Sequence, residues 1–157
     1  EWHEWICHTN FSFLLGASHP HELIERAAKL GYRGLAITDF DGAYGLARSY
    51  RALKKLRADG QDNGLRLYYG AEVHLCKDHE LPVVERDTLV LIAASHRGYF
   101  NLCKILSFAH RAGKTDANAP LADLISNGHD VDDVVQTAGA EREALRQRLA
   151  GLPSPPT

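Results

Sequence analysis

Methionine is absent from all 157 residues, position 1 included, so the expectation is a segment taken from a longer chain or one whose start has been processed. Cysteine is scarce. Cys7, Cys76 and Cys103 are odd in number, far apart and outside any CxxC pair, which argues against a disulfide framework or a paired-cysteine zinc site and points to reduced thiols in the cytoplasm. A basic surplus is also missing, the formal net charge being −2. A segment that held nucleic acid through its own phosphate contacts would normally carry one, so direct DNA contact is disfavoured. No apolar run approaches the ~20 residues of a membrane span, and no signal peptide precedes Glu1, so no membrane partner is expected. There is no internal repeat, Gly-rich phosphate loop or GxSxG elbow.

What remains is an ordinary globular composition, 45% apolar and 24% charged, long enough for one domain with a core. Glu4 to Thr9 is β-compatible, and NFSFLLG (Asn10 to Gly16) carries turn residues around Phe11, Phe13 and Leu14, which read as buried. A helix start follows, with Ser18 or His19 as cap, Pro20 in the first turn and Glu22 where a capping-box acid belongs. Leu23, Ile24, Ala27 and Leu30 form its stripe and Gly31 its stop. Leu35 to Asp39 reads as a strand, and about Tyr44 to Ala58 as a helix burying Leu46, Tyr50, Leu53 and Leu56. Arg48, Arg51 and Lys55 line its other side, more in keeping with a solvated face than a phosphate track.

Leu65 to Cys76 alternates, with Leu65, Leu67, Tyr69, Ala71, Val73 and Leu75 on one face and Tyr68, Gly70, Glu72, His74 and Cys76 on the other. Lys77 to Asp87 is a polar loop, and Thr88 to Ala94 a continuous apolar strand of the kind buried in parallel sheets. His96 to Ala112 reads as a helix, Leu121 to Ser126 as a short one, Val131 to Thr137 as a last strand and Glu141 to Ala150 as a charged helix. Alternating strands and helices imply βαβ units in a mainly parallel sheet or barrel, an α/β fold.

Chemistry in such folds sits beyond the carboxyl ends of the strands, where LAITDFDG places Asp39 and Asp41. Two carboxylates there suit a divalent metal, or a turn; for Asp41, before Gly42, the turn is favoured. His74 and Cys76 share a face with Glu72, which suits either a metal site or a polar barrel interior. His19 and His21, flanking Pro20 at a helix start, read as structural, and His96 as a helix cap or surface residue.

ICHTNFSFLLGASHPHELIERAAKLGY, LAITDFDGAYGLARSY, YYGAEVHL and SHRGYFNLCKILS, in that order from Glu4 to Gly113, resemble the PHP (polymerase and histidinol phosphatase) domain of bacterial DNA polymerase III α subunits, the error-prone branch above all. The resemblance implies a distorted (β/α)7 barrel, incomplete in this chain: a barrel core at 1–113, a divergent continuation (helix, strand, helix) at 114–150 and a linker or tail at 151–157. Metal-competent members hydrolyse phosphoesters with His, Asp and Glu ligands. Here the HxH motif has Ile6 for its first histidine, Leu15 stands where an acid precedes the glycine, and Phe40 replaces the histidine of TDH. The ligands that carry over are His8, Asp39 and Glu72. Isoleucine, leucine and phenylalanine cannot coordinate a metal but can fill the space it leaves.

Three functions follow as expectations. The first is a structural and interaction module with a degenerate metal site and no resident cofactor, partnering the polymerase domains of a parent chain and meeting DNA only indirectly. The second is a metal-dependent phosphoesterase, phosphatase or 3′–5′ exonuclease in type, with His8, Asp39 and Glu72 holding Zn²⁺ or Mn²⁺. The third is a remnant that self-associates through open barrel edges.

Overall fold

The computed structural model describes residues 2–74, 88–110 and the strand 134–138. Its elements are β1 (His3–Glu4), α1 (Pro20–Lys29), β2 (Gly34–Ile37), α2 (Leu46–Ala58), β3 (Arg66–His74), β4 (Thr88–Ala93), α3 (His96–Ala109) and β5 (Val134–Ala138). The strands form one five-stranded sheet in sequence order. β1, β2 and β3 run parallel, as the helical crossovers α1 and α2 require. The expected loop at 77–87, the helices at 121–126 and 141–150 and the tail lie outside the described residues.

α1 forms for the expected reasons. Pro20 opens it, and the backbone N–H of His19 donates to the Glu22 carboxylate at 2.7 Å. At its end the Tyr32 N–H reaches the Ala27 carbonyl and the Gly31 N–H the Ala28 carbonyl, with Gly31 at φ 73°. That is a Schellman stop, which needs a residue free to adopt positive φ. Leu30 stands at the cap and turns outward, so Ala28 completes the buried stripe with Ile24 and Ala27.

Two departures concern strands. β1 ends at Glu4 because the Glu4 carboxylate accepts the N–H groups of Trp5 and Ile6, at 3.1 and 3.2 Å, and diverts them from ladder pairing. The chain then follows β2 through single bonds, Cys7 N–H to Thr38 Oγ1 and Thr38 N–H to the Cys7 carbonyl. β4 is antiparallel to β3, and β5 to β4, so the sheet is mixed rather than mainly parallel. A continuous apolar strand reports burial on both faces, and burial carries no information on strand direction.

The sheet separates two apolar layers. Outside, Leu35, Ile37 and Leu65 pack on α1 and α2, while Ala71, Val73, Leu89 and Leu91 pack on Leu102, Ile105 and Leu106 of α3. Inside, Trp5, Ala36, Val90 and Ile92 form a smaller core joined by Ile6 and Tyr68. The period-2 alternation of β3 thus divides as expected, and it sends Glu72 and His74 to the inner face at the carboxyl end.

Candidate functional site

At the end of β2 the Asp39 carboxylate is buried and fully engaged by its own chain. Oδ1 accepts the Thr9 N–H at 2.7 Å, the Thr9 hydroxyl at 3.0 Å and the Ser12 hydroxyl at 2.8 Å. Oδ2 accepts the Thr9 hydroxyl at 2.9 Å and the Gly45 N–H at 3.1 Å. These donors take up the lone-pair positions a carboxylate offers. Gly45 is required for the approach: a Cβ there would stand 2.4 Å from Oδ2. Ser12 also accepts the Phe40 N–H at 3.0 Å, so one hydroxyl ties the NFSFLLG loop to β2 on both sides.

The loop so anchored does not bury its apolar residues. Its backbone passes through Leu14 at φ 64°, a conformation a non-glycine residue adopts only under local constraint. Phe13 and Leu14 consequently stand 83% and 89% exposed. Leu15 is 37% exposed rather than packed inward, contrary to expectation. Ile6 and Phe40 do pack inward.

His8 and Glu72 meet. His8 Nε2 lies 2.8 Å from Glu72 Oε2, and the Thr88 hydroxyl donates to Oε1 at 2.6 Å. A second histidine–carboxylate pair stands beside it: His74 Nδ1 is 2.5 Å from Asp41 Oδ2, and the His74 N–H donates to Asp41 Oδ1 at 3.1 Å. The Phe40 ring lies between the two imidazoles, with centroids at 4.9 Å from His8 and 5.1 Å from His74. Asp41 takes the expected turn conformation, φ 49°, and its backbone carbonyl accepts from His110 Nε2 of the segment after α3 at 2.5 Å. His74 Nε2 is buried and has no hydrogen-bond partner among the described residues.

The structure therefore brings His8 to Glu72 and commits Asp39 to the loop. Among the described residues no three His, Cys, Asp or Glu side chains are grouped so as to hold a metal ion. The pairing of Asp41 with His74, and the roles of Thr9, Ser12, Gly45 and Thr88, were not visible in the sequence. The alternation of β3 did place His74 beside Glu72, but the register of β2 against β3, with Phe40 opposite Glu72, decides which acid meets which histidine. His96 opens α3 exposed, and the cap is Ser95, whose hydroxyl accepts the Gly98 N–H at 3.0 Å.

Cys7 lies against this site. Burial, reinforced by the negative charges of Glu4 and Asp39, pushes its thiol up to about 11, so the nucleophilic thiolate is scarce at neutral pH. Cys7 is expected to resist iodoacetamide at pH 8 in the folded protein and to react once guanidinium unfolds it. Peptide mass spectrometry checks this, and rapid native labelling would contradict it.

An open α/β sheet with a polar cluster beyond the carboxyl ends of its parallel strands defines the class. The sequence matches the PHP domain family over residues 5–147, and the chain belongs to that family. It is homologous to error-prone DNA polymerases. That of Anaeromyxobacter dehalogenans (strain 2CP-C) is 41% identical over 107 residues, covering 68% of this chain and 9% of the relative. That of Pseudomonas aeruginosa is 34% identical over 154 residues, covering 93% and 14%. The chain thus spans 9% to 14% of the length of these curated relatives. An amidohydrolase from Chromobacterium violaceum, solved with sulfate and no metal, shares the fold at TM-score 0.50 and 24% identity, over 70% of this chain and 34% of that one. No helix among the described residues is long and apolar enough to cross a membrane.

Proposed function

We propose that the chain is the PHP domain of an error-prone DNA polymerase III α-type polymerase, and that it works in the cytoplasm as a structural and interaction module for the polymerase domains of the parent chain. On this reading its metal site is degenerate and hydrolysis has been lost. The observation that carries it is the Asp39 carboxylate, whose acceptor positions are taken by Thr9, Ser12 and Gly45. A carboxylate so engaged would have to give up hydrogen bonds worth about 1–3 kcal/mol each before it could bind an ion. The Ile6, Leu15 and Phe40 replacements remove three further donors.

The test is metal content after purification without chelator, alongside phosphatase and 3′–5′ exonuclease assays with added Zn²⁺ or Mn²⁺. The expected result is substoichiometric metal and no hydrolysis above a blank. Stoichiometric metal lost together with activity in Asp39→Ala, in protein shown to remain folded, would overturn the structural reading. It would establish instead a phosphoesterase with the reduced ligand set His8, Asp39 and Glu72.

A further inference from the structure

A cleft of about 590 Å³ opens at the amino end of β3, near α2 and the start of α3, and residues of both sheet faces line it. It lies away from the Asp39 cluster, which stands beyond the carboxyl end of β2. Its volume falls within the ~300–1,000 Å³ of small-ligand sites. Tyr50 and Arg57 of α2, Arg66 and Tyr69 of β3, and His96 and Tyr99 of α3 line it.

The chemistry of this wall is specific. Among the described residues no Asp or Glu lines it, so no carboxylate there opposes an anion. Two arginines, Arg57 and Arg66, are among its lining residues. Arg57 is held in place by its Nη2 donating to the Leu65 carbonyl at 3.3 Å and its Nε lying 3.6 Å from Asp62. Arg66 is exposed. Guanidinium is the side-chain group best matched to phosphate oxygens, and the first turn of α3, at Ser95 and His96, adds the positive end of a helix dipole.

The rest of the wall is aromatic. Tyr69 and Tyr99 stand 5.4 Å apart at 52°. Tyr50, expected in the core of α2, is instead 50% exposed, because the helix buries Ser49 and Leu53 and turns this ring toward the cleft. The phenols of Tyr69 and Tyr99 are both raised, the first mainly by burial and the second mainly by its hydrogen bond with Cys103. They add no negative charge to oppose an anion. Flat π faces beside arginines are the combination that binds nucleotides by base stacking and phosphate contact.

We propose that this cleft binds a nucleoside phosphate, its base against the tyrosine rings and its phosphate between Arg57 and Arg66. Arg57 and Arg66 lie outside the Arg48–Lys55 stripe, and the charge that matters is local, which a net charge of −2 does not reveal. The inference is independent of the metal content of the Asp39 cluster. The ligand can be a free nucleotide or a nucleotide unit of a single strand, since both present the same chemistry.

The test is isothermal titration of the full 157-residue chain with dTMP, a 5′-phosphorylated oligothymidylate and inorganic phosphate, at two salt concentrations. Saturable, salt-sensitive binding of dTMP or of the oligonucleotide is expected, with inorganic phosphate markedly weaker. A comparable affinity for both nucleotide probes identifies the free nucleotide as the ligand, and a tighter oligonucleotide identifies a strand. Arg66→Gln and Tyr50→Ala, both at exposed positions, are each expected to weaken binding about tenfold, the loss of one phosphate contact or one stacked base. Their thermal unfolding should match that of the parent. No saturable nucleotide binding, binding unchanged in both variants, or phosphate binding as tight as dTMP would overturn the proposal.

Discussion

Asp39→Ala is expected to destabilise the domain by about 3–5 kcal/mol, a large share of the ~5–15 kcal/mol a domain of this kind possesses. The change removes the acceptor for Thr9 N–H, Thr9 Oγ1, Ser12 Oγ and Gly45 N–H together. Each of these donors is left in a buried pocket that water does not reach. Asp39→Asn, which keeps the shape, should recover only part of the loss, since its amide group would turn donors toward either Gly45 or Thr9. Urea unfolding followed by circular dichroism reads the difference as a shift in midpoint at unchanged slope. A loss below ~1 kcal/mol for the alanine variant would show that the loop does not depend on this carboxylate.

The second large effect falls on Glu72, which is fully buried on the inner face. Glu72→Ala is expected to destabilise by about 2–4 kcal/mol, combining a cavity with the orphaned Thr88 hydroxyl and His8 imidazole. Because His8 and Glu72 touch at 2.8 Å, their effects should not add. A double-mutant cycle with His8→Ala should return a coupling energy of about 0.5–3 kcal/mol. Additive losses would mean that Glu72 is held by Thr88 and the surrounding core, with His8 a bystander. The cycle repeated with and without Zn²⁺ also separates a protein–protein pair from a metal bridge, since only a bridge would make the coupling depend on the ion.

Much of the fold was legible because it is written in short-range spacing. Pro20, Glu22 and Gly31 mark the two ends of α1, and the alternation along Arg66–His74 assigns each side chain to a face. The misreadings have one cause in common, which is that composition reports apolarity and not its partner. Phe13 and Leu14 look like core residues, yet a loop pinned at Thr9 and Ser12 and turned through positive φ at Leu14 carries them outward. Tyr50 occupies a core-facing step of α2 in the sequence, but the packed face turns on Ser49 and Leu53. β4 reads as a buried parallel strand and pairs antiparallel.

The candidate site shows the same division. The family resemblance singles out His8, Asp39 and Glu72 as candidate ligands, and Ile6, Leu15 and Phe40 as apolar residues at positions where the family pattern has a histidine, an acid and a second histidine. It cannot say how the remaining lone pairs are used.

By itself, then, the sequence determined the α/β class, the two ends of α1, the faces of β3 and the family, because these follow from local periodicity, backbone chemistry and motif order. Only the tertiary structure decided that Asp39 serves the loop, that Glu72 holds His8 while Asp41 holds His74, and that two arginines and four tyrosines share one cleft. Those outcomes depend on the register between β2 and β3 and on contacts between residues far apart in the chain. A hydrogen bond is allocated by position in space to within a few tenths of an ångström, and no spacing along the sequence encodes that.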